Sequence, residues 1–326
     1  MTGRSPTEAE VLGYVESLSN WGRWGPEDQL GTLNLITPAV RRKAASLVRH
    51  GATVSLAREL APVAEPGDAF APPQRYMLFT GEGLADEHRV RQHPAGRESD
   101  SARVHGASEY IGMVFHGFNV THVDALSHVF WDRRMYNGKP PELVNSLFGA
   151  SSHAVTAAGD GIVTRGVLLD VAAARGVEWL EPGTGVTPVD LELAESRQGV
   201  QVREGDAVLL RTGHGLSRAR LGPQDPNVHG QPGWHPAALP WLHERGAALI
   251  GCDAGVDVLP CDYPALSMPV HVIGIVTMGL WLVDNLDLEA AASTAERMRR
   301  WEFLFTLAPL RLTGGTGSPA NPLAVF

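Results

Sequence analysis

The sequence predicts an α/β protein with a mixed sheet and flanking helices. Short, continuous apolar runs at 166–172 (GVLLDVA), 207–212 (AVLLRT) and 247–253 (AALIGCD) read as strands buried on both faces. Segments with helical period and capping signals lie between them, the alternation that gives this class. No shift in composition marks a linker, so residues 1–326 are expected to form a single domain.

The first helix is expected over 6–21, where Val11, Leu12, Val15 and Leu18 repeat with helical spacing. The stretch WGRWGPEDQLGTLNLIT follows, dense in Gly and Trp and without period. It is either a packed surface loop or a wall of the active site, with Trp24 facing substrate. Thr37 as N-cap and Pro38 at the first position open a second helix, stopped by Gly51. Residues 1–52 thus make an N-terminal helical segment, and 53–57 a strand.

Residues 81–109 are polar, charged and aperiodic, and a loop that long is expected to be a lid or binding loop, otherwise a mobile insertion. His93, Arg103 and His105 are its candidates for reaching a substrate. Asn137-Gly138 marks a turn. Thr187-Pro188 repeats the helix-start device before VDLELAESR, and 236–245 is a helix ended by Gly246. A helix over 288–300 and a strand over 301–312 complete the chain.

Composition excludes several classes. The net charge is −9 with no Lys/Arg cluster, which argues against nucleic acid or an anionic membrane as partner. The most apolar run, 270–283, contains His271 and is too short to span a bilayer. The first residues lack an apolar signal core, and the two cysteines give no disulfide framework, so a cytoplasmic location is expected. No Gly-x-Ser-x-Gly, Walker A or Gly-x-Gly-x-x-Gly is present, so neither a serine hydrolase nor a nucleotide cofactor is indicated. His243-Glu244 lacks the second histidine of a zincin, with Ala247 in its place.

The chemistry concentrates at 116–128, HGFNVTHVDALSH. On a strand, His122 and Asp124 share a face, with His116, Phe118 and Val120 in line behind them. If the strand ends near Asp124 and turns into a helix, the i to i+4 spacing keeps Asp124 and His128 together. Two imidazoles and a carboxylate aimed at one point suit Zn²⁺, Mn²⁺ or Fe²⁺. Two polar core histidines with a capping aspartate would be the plainer explanation. Burying so many ionisable groups favours the cation.

The segment resembles His-x-Gly-Thr-His-x-Asp-x-Pro-x-His, the signature of the cyclase-like metal hydrolases that include bacterial kynurenine formamidase and isatin hydrolase. Thr121, His122, Asp124 and His128 stand at its positions, whereas Phe118, Val120 and Leu126 replace its first histidine, glycine and proline. The first histidine is a ligand in the family, so the set is one short unless His116 fills in, from about 6.6 Å away along an extended strand.

A second stretch, from His271 through Gly279 to Asp284-Asn285-Leu286, is similar to the family's downstream signature, with aspartate where glutamate is usual. The opening loop, through Asp28, Gly31 and Asn34, resembles the corresponding loop of longer members. Arg211-Thr212-Gly213, at the end of a buried strand, resembles the family's Arg-Thr-Gly; its backbone N–H groups would hold a substrate carbonyl oxygen, or the glycine only lets the strand end turn.

The resemblance implies the swivelling β/β/α arrangement, a divalent ion (Zn²⁺ or Mn²⁺) and a homo-oligomer, dimer or tetramer. His122, Asp124, His128 and Asp284 would hold the ion. His128 and His271 would serve catalysis, and Phe118, His116, Arg211 and Trp24 would line the substrate. The expected activity is metal-dependent hydrolysis of a C–N bond in a small amide, imide or lactam. Metal-assisted ring closure or dehydration, and a metal-free binding protein, are the alternatives.

Overall fold

A computed structural model describes residues 5–68, 71–82 and 106–326. Its strands of three or more residues, in chain order, are β1 (Thr53–Ser55), β2 (Gln74–Phe79), β3 (Ser108–Gly112), β4 (His122–Asp124), β5 (Ile162–Asp170) and β6 (Ala207–Arg211). They continue as β7 (Leu249–Cys252), β8 (Trp281–Asp284), β9 (Glu302–Leu307), β10 (Gly317–Pro319) and β11 (Leu323–Val325). Nine of them form one mixed sheet in the order β1-β11-β9-β5-β6-β7-β8-β4-β10. The middle four, β5 to β8, run parallel. Apart from Val163 at the start of β5, their Val, Leu and Ile side chains are buried, as strands covered on both faces must be. The outer strands pair antiparallel, which makes the sheet mixed as expected.

Helices cover the faces. α1 (Glu8–Ser17) is started by a Thr7/Glu10 capping box, and α2 (Pro38–Ala45) by Thr37 and Pro38. α2 ends before Gly51. Leu47 has left the helix and accepts from the Arg300 side chain, while His50 and Gly51 donate to the Phe326 carbonyl. α3 (Val171–Arg175) takes over where β5 stops, because Asp170 caps it through the Ala173 N–H. α4 (Pro188–Gln198), α5 (His214–Leu221), α6 (Ala238–Arg245) and α7 (Glu289–Met298) follow. The apolar run of 270–283 divides in two. A buried helical segment, Pro269–His271 continuing as a π-helix over Val272–Met278, turns at Gly279 into β8.

The loop after α1 is packed rather than open. Trp21 Nε1 donates to Val276 O and Asn20 Nδ2 to Met278 O. Asp28 is occupied by Gly31 N, Asn34 Nδ2 and the Tyr136 hydroxyl. Of the expected lid at 81–109, residues 83–105 lie outside the described residues, and so do His93, Arg103 and His105. Ser108 and Glu109 belong to β3, paired with β2 in a hairpin.

Parallel β5, β6, β7 and β8 all end on one edge, at Asp170, Arg211, Cys252 and Asp284. Ligands in open α/β sheets bind outside that carboxyl edge. Antiparallel β4 enters there, with His122 paired to Asp284 and Asp124 to Leu282. Two segments more than 150 residues apart in sequence are thus held in register by main-chain bonds.

Candidate metal centre

His122 and Asp124 sit on one face of β4, as alternation requires, and both are buried. The helix expected after Asp124 does not form. A tight turn closed by His128 N to Ala125 O brings His128 back instead, with Nε2 3.9 Å from Asp124 Oδ1. The strand expected over 116–120 is a bend, and this changes the ligand count. His116 is folded back until its Nδ1 lies 2.9 Å from Asp124 Oδ1, its ring stacked on that of His128 at 3.8 Å. Gly317 permits this, because a Cβ there would stand 2.7 Å from His116 Cε1. Phe118 is turned elsewhere, its side chain beside Gly67.

The distal half converges on the same carboxylate. His122 Nε2 is 3.5 Å from both Asp124 Oδ1 and Asp284 Oδ2. His271 Nε2 is 3.4 Å from Asp124 Oδ2 and 3.4 Å from Asp284 Oδ2. Aspartate at 284 therefore reaches the cluster, and its other oxygen accepts from Val256 N. His116, Asp124 and His128 form one group able to hold a cation; His122, Asp124 and Asp284 form another, and Asp124 belongs to both.

The residues fit such an ion. His122 Nδ1 lies 2.8 Å from the Val120 carbonyl, which only accepts, so Nδ1 carries the proton and Nε2 presents a lone pair to two carboxylates. His271 repeats the device, with Nδ1 2.5 Å from Asp257 Oδ2. Lone pairs facing carboxylates repel unless a proton or cation lies between them. Both Asp124 oxygens and His116 Nδ1 are buried without a hydrogen bond. Close contact without hydrogen-bond geometry is how ligands of one ion look, since donors at about 2.1 Å from a metal stand about 3.0–3.5 Å apart.

Burial alone would raise the Asp124 carboxyl, but His128 and His122, with His116 and His271, hold it well below the usual carboxylate range. Burial outweighs Asp124 at His128 and lowers that imidazole to about 4. At His271, burial is overcome by Asp124, Asp257 and Asp284, and the ring is pushed well up. His116 and His128 are the accessible imidazoles, with side chains 23% and 24% exposed against 2% for His122.

Arg211 is taken up by two carboxylates. Its guanidinium is buried between Asp170 at 2.9 Å and Glu289 at 2.8 Å. The N–H groups of Thr212, Gly213 and His214 all donate to the Asp253 carboxylate, so that turn offers no donors to a carbonyl oxygen. Trp24 is half-buried with the Arg23 guanidinium 4.7 Å over its ring.

The sequence reading missed Asp257, which also accepts from Val270 N and so fixes the start of the helical segment bearing His271. Its signal was an acidic residue in the loop leaving a buried parallel strand.

Fold and cluster together define a mixed α/β protein with a buried His/Asp centre at the carboxyl edge of its sheet. The chain belongs to the family described as "Putative cyclase", whose profile matches residues 54–257. It is similar to the crystal structure of a novel cyclase at 29% identity and TM-score 0.82, covering 96% of this chain and 99% of that one. An isatin hydrolase bound to the product analogue thioisatinate is 17% identical with TM-score 0.57, over 86% of this chain and 94% of that one. Isatin hydrolase A from Labrenzia aggregata, bound to benzyl benzoate, is 21% identical with TM-score 0.54, over the same shares. These two share the fold. No curated protein matches the chain.

Proposed function

We propose that the chain hydrolyses a C–N bond in a small amide, imide or lactam. The observation that carries this is Asp124, a fully buried carboxylate ringed by four imidazoles and hydrogen-bonded to none of them. His116, His122, Asp124, His271 and Asp284 would hold a divalent cation, Zn²⁺ or Mn²⁺, with His128 left free beside it as the base. When bound, it would supply Lewis acidity and lower the pKa of a water toward neutrality.

The chain's own groups do the rest. Accessible and neutral, His128 takes a proton from the attacking water and passes it to the leaving nitrogen. His116, stacked on it, fixes its plane. Asp257 holds His271 in one tautomer, and Val120 O does the same for His122. Trp24, and Phe118 on its side towards Gly67, would give the part of a planar substrate away from the cluster an apolar surface. The reading is tested by assaying cyclic imides and formanilides with chelated and Mn²⁺- or Zn²⁺-reloaded protein. Equal, slow turnover in both would refute it.

Ring closure with loss of water is a second reading, favoured by the likeness to a structure described as a cyclase. In ¹⁸O-labelled water, hydrolysis must label the product and cyclisation need not.

We further propose a homo-oligomer acting on a small molecule. The β2–β3 hairpin supports this, for it exposes Tyr76, Leu78, Phe79 and Ile111, a surface that association would cover. Analytical ultracentrifugation decides; a monomer at micromolar concentration overturns it. Among the described residues, no helix is long and apolar enough to cross a membrane.

A further inference from the structure

A second cluster of chemistry-bearing side chains lies along the same edge of the sheet and has no part in the centre above. Arg58, just beyond β1, donates through Nη1 to the Phe118 carbonyl at 2.9 Å and through Nη2 to the Asp253 carbonyl. Both acceptors are neutral, and no carboxylate of a described residue pairs with this guanidinium. Burial and Arg218 lower its pKa to about 10, against the opposing charges of Asp253 and Asp287. The Asp253 carboxylate is already taken by Thr212, Gly213 and His214.

His214 opens α5. Its ring nitrogens make no hydrogen bond among the described residues, and burial, with Arg58 and Arg218, pushes the imidazole down to about 3. It is a neutral N–H donor. Arg218, one turn further along α5, is anchored by Glu65 at 2.6 Å through a single nitrogen. Phe118 and Pro226 wall the neighbourhood, both in contact with Gly67. Two guanidiniums and an imidazole thus lie beside an apolar wall. Among the described residues, no carboxylate neutralises Arg58 directly.

The carbonyl that Arg58 grips is two residues from His116, which touches Asp124. Chain geometry therefore keeps the guanidinium within roughly 14 Å of the metal centre. We infer that Arg58, His214 and Arg218 form a carboxylate subsite, and that the substrate is an acid whose carboxylate lies several bonds from the scissile amide. A guanidinium recognises a planar carboxylate with paired donors, and burial strengthens the contact. Which end reacts rests on the hydrolase reading; that an acid binds here does not.

Ligand-observed NMR titration with benzoate and benzamide tests the subsite on the full chain. Benzoate is expected to bind wild type at least tenfold more tightly than benzamide. Asp124→Asn, which disables the metal centre, should bind benzoate within threefold of wild type. Arg218→Gln, and separately Arg58→Lys, should weaken it at least tenfold. Gln at 218 can still donate to the partly exposed Glu65 carboxylate, so the test survives if Arg58→Lys fails to fold. Benzoate binding that vanishes in Asp124→Asn but persists in Arg218→Gln would place the anion on the metal centre and overturn the subsite. No preference for benzoate over benzamide would overturn it too. A protein that binds benzoate here yet hydrolyses no amide would instead refute the hydrolase reading alone.

Discussion

Asp124 is the one residue shared by both ligand groups, and its replacement tests the centre most directly. Asp124→Asn keeps the shape and removes the charge that collects the imidazoles, so Mn²⁺ or Zn²⁺ affinity should fall at least a hundredfold by metal titration. His116 and Phe118 make an opposed pair of predictions. His116→Ala should weaken metal binding at least tenfold, because its Nδ1 already lies 2.9 Å from Asp124. Phe118→His should not tighten it, because that side chain lies against Gly67 and faces away from the cluster. Tighter binding in Phe118→His would show that the bend at 116–120 opens and the extended strand forms instead. The family signature led to position 118, but the imidazole that meets Asp124 stands two residues earlier. Letters at fixed spacing could not reveal this, since a bend replaces the regular rise along a strand.

Elements place these residues, and two crossings matter most. β4 against β8 sets His122 opposite Asp284, and the loop after α1 crosses the turn that leads into β8. At the second crossing Gly31 has φ +55, and a Cβ on it would lie 2.1 Å from the Gly279 carbonyl oxygen. That atom also accepts from Thr32 N and Thr32 Oγ1, so it cannot yield without breaking both. Gly31→Ala should therefore cost about 2–4 kcal/mol, read by urea unfolding, with lost metal affinity only if the shift reaches β8. Thr37 and Thr187 announced their helices, because a cap is written in adjacent residues. Continuous apolar runs likewise announced β5, β6 and β7. The end of α2 was not legible: Gly51 suggested a stop that Leu47 reaches earlier through contact with Arg300, a partner more than 250 residues away. Asp257 and Arg58 were illegible for the same reason. An acidic residue in a turn and an arginine after a strand gain meaning only once the sheet brings His271 and Phe118 to them.

For the whole molecule, acid sensitivity follows from charges that folding forbids. His214 is held near 3 in the folded chain by burial, Arg58 and Arg218, against an unfolded value near 6.5. Above pH 6.5 the ring is neutral in both states and the term is flat. As pH falls from 6.5 toward 3, the unfolded chain takes up a proton that the folded one refuses. Stability is lost there at up to about 1.4 kcal/mol per pH unit. His214→Gln removes the term. Between pH 7 and pH 5 the variant should lose about 2 kcal/mol less than wild type in urea unfolding, with the two curves parallel above pH 7. A carboxylate bound beside His214 would ease its protonation, so saturating benzoate should shrink the gap in wild type and leave the variant's pH profile unchanged. Equal acid losses in both proteins would show that the ring is solvated and free to charge. The cluster around Arg58 would then be too open to select an anion.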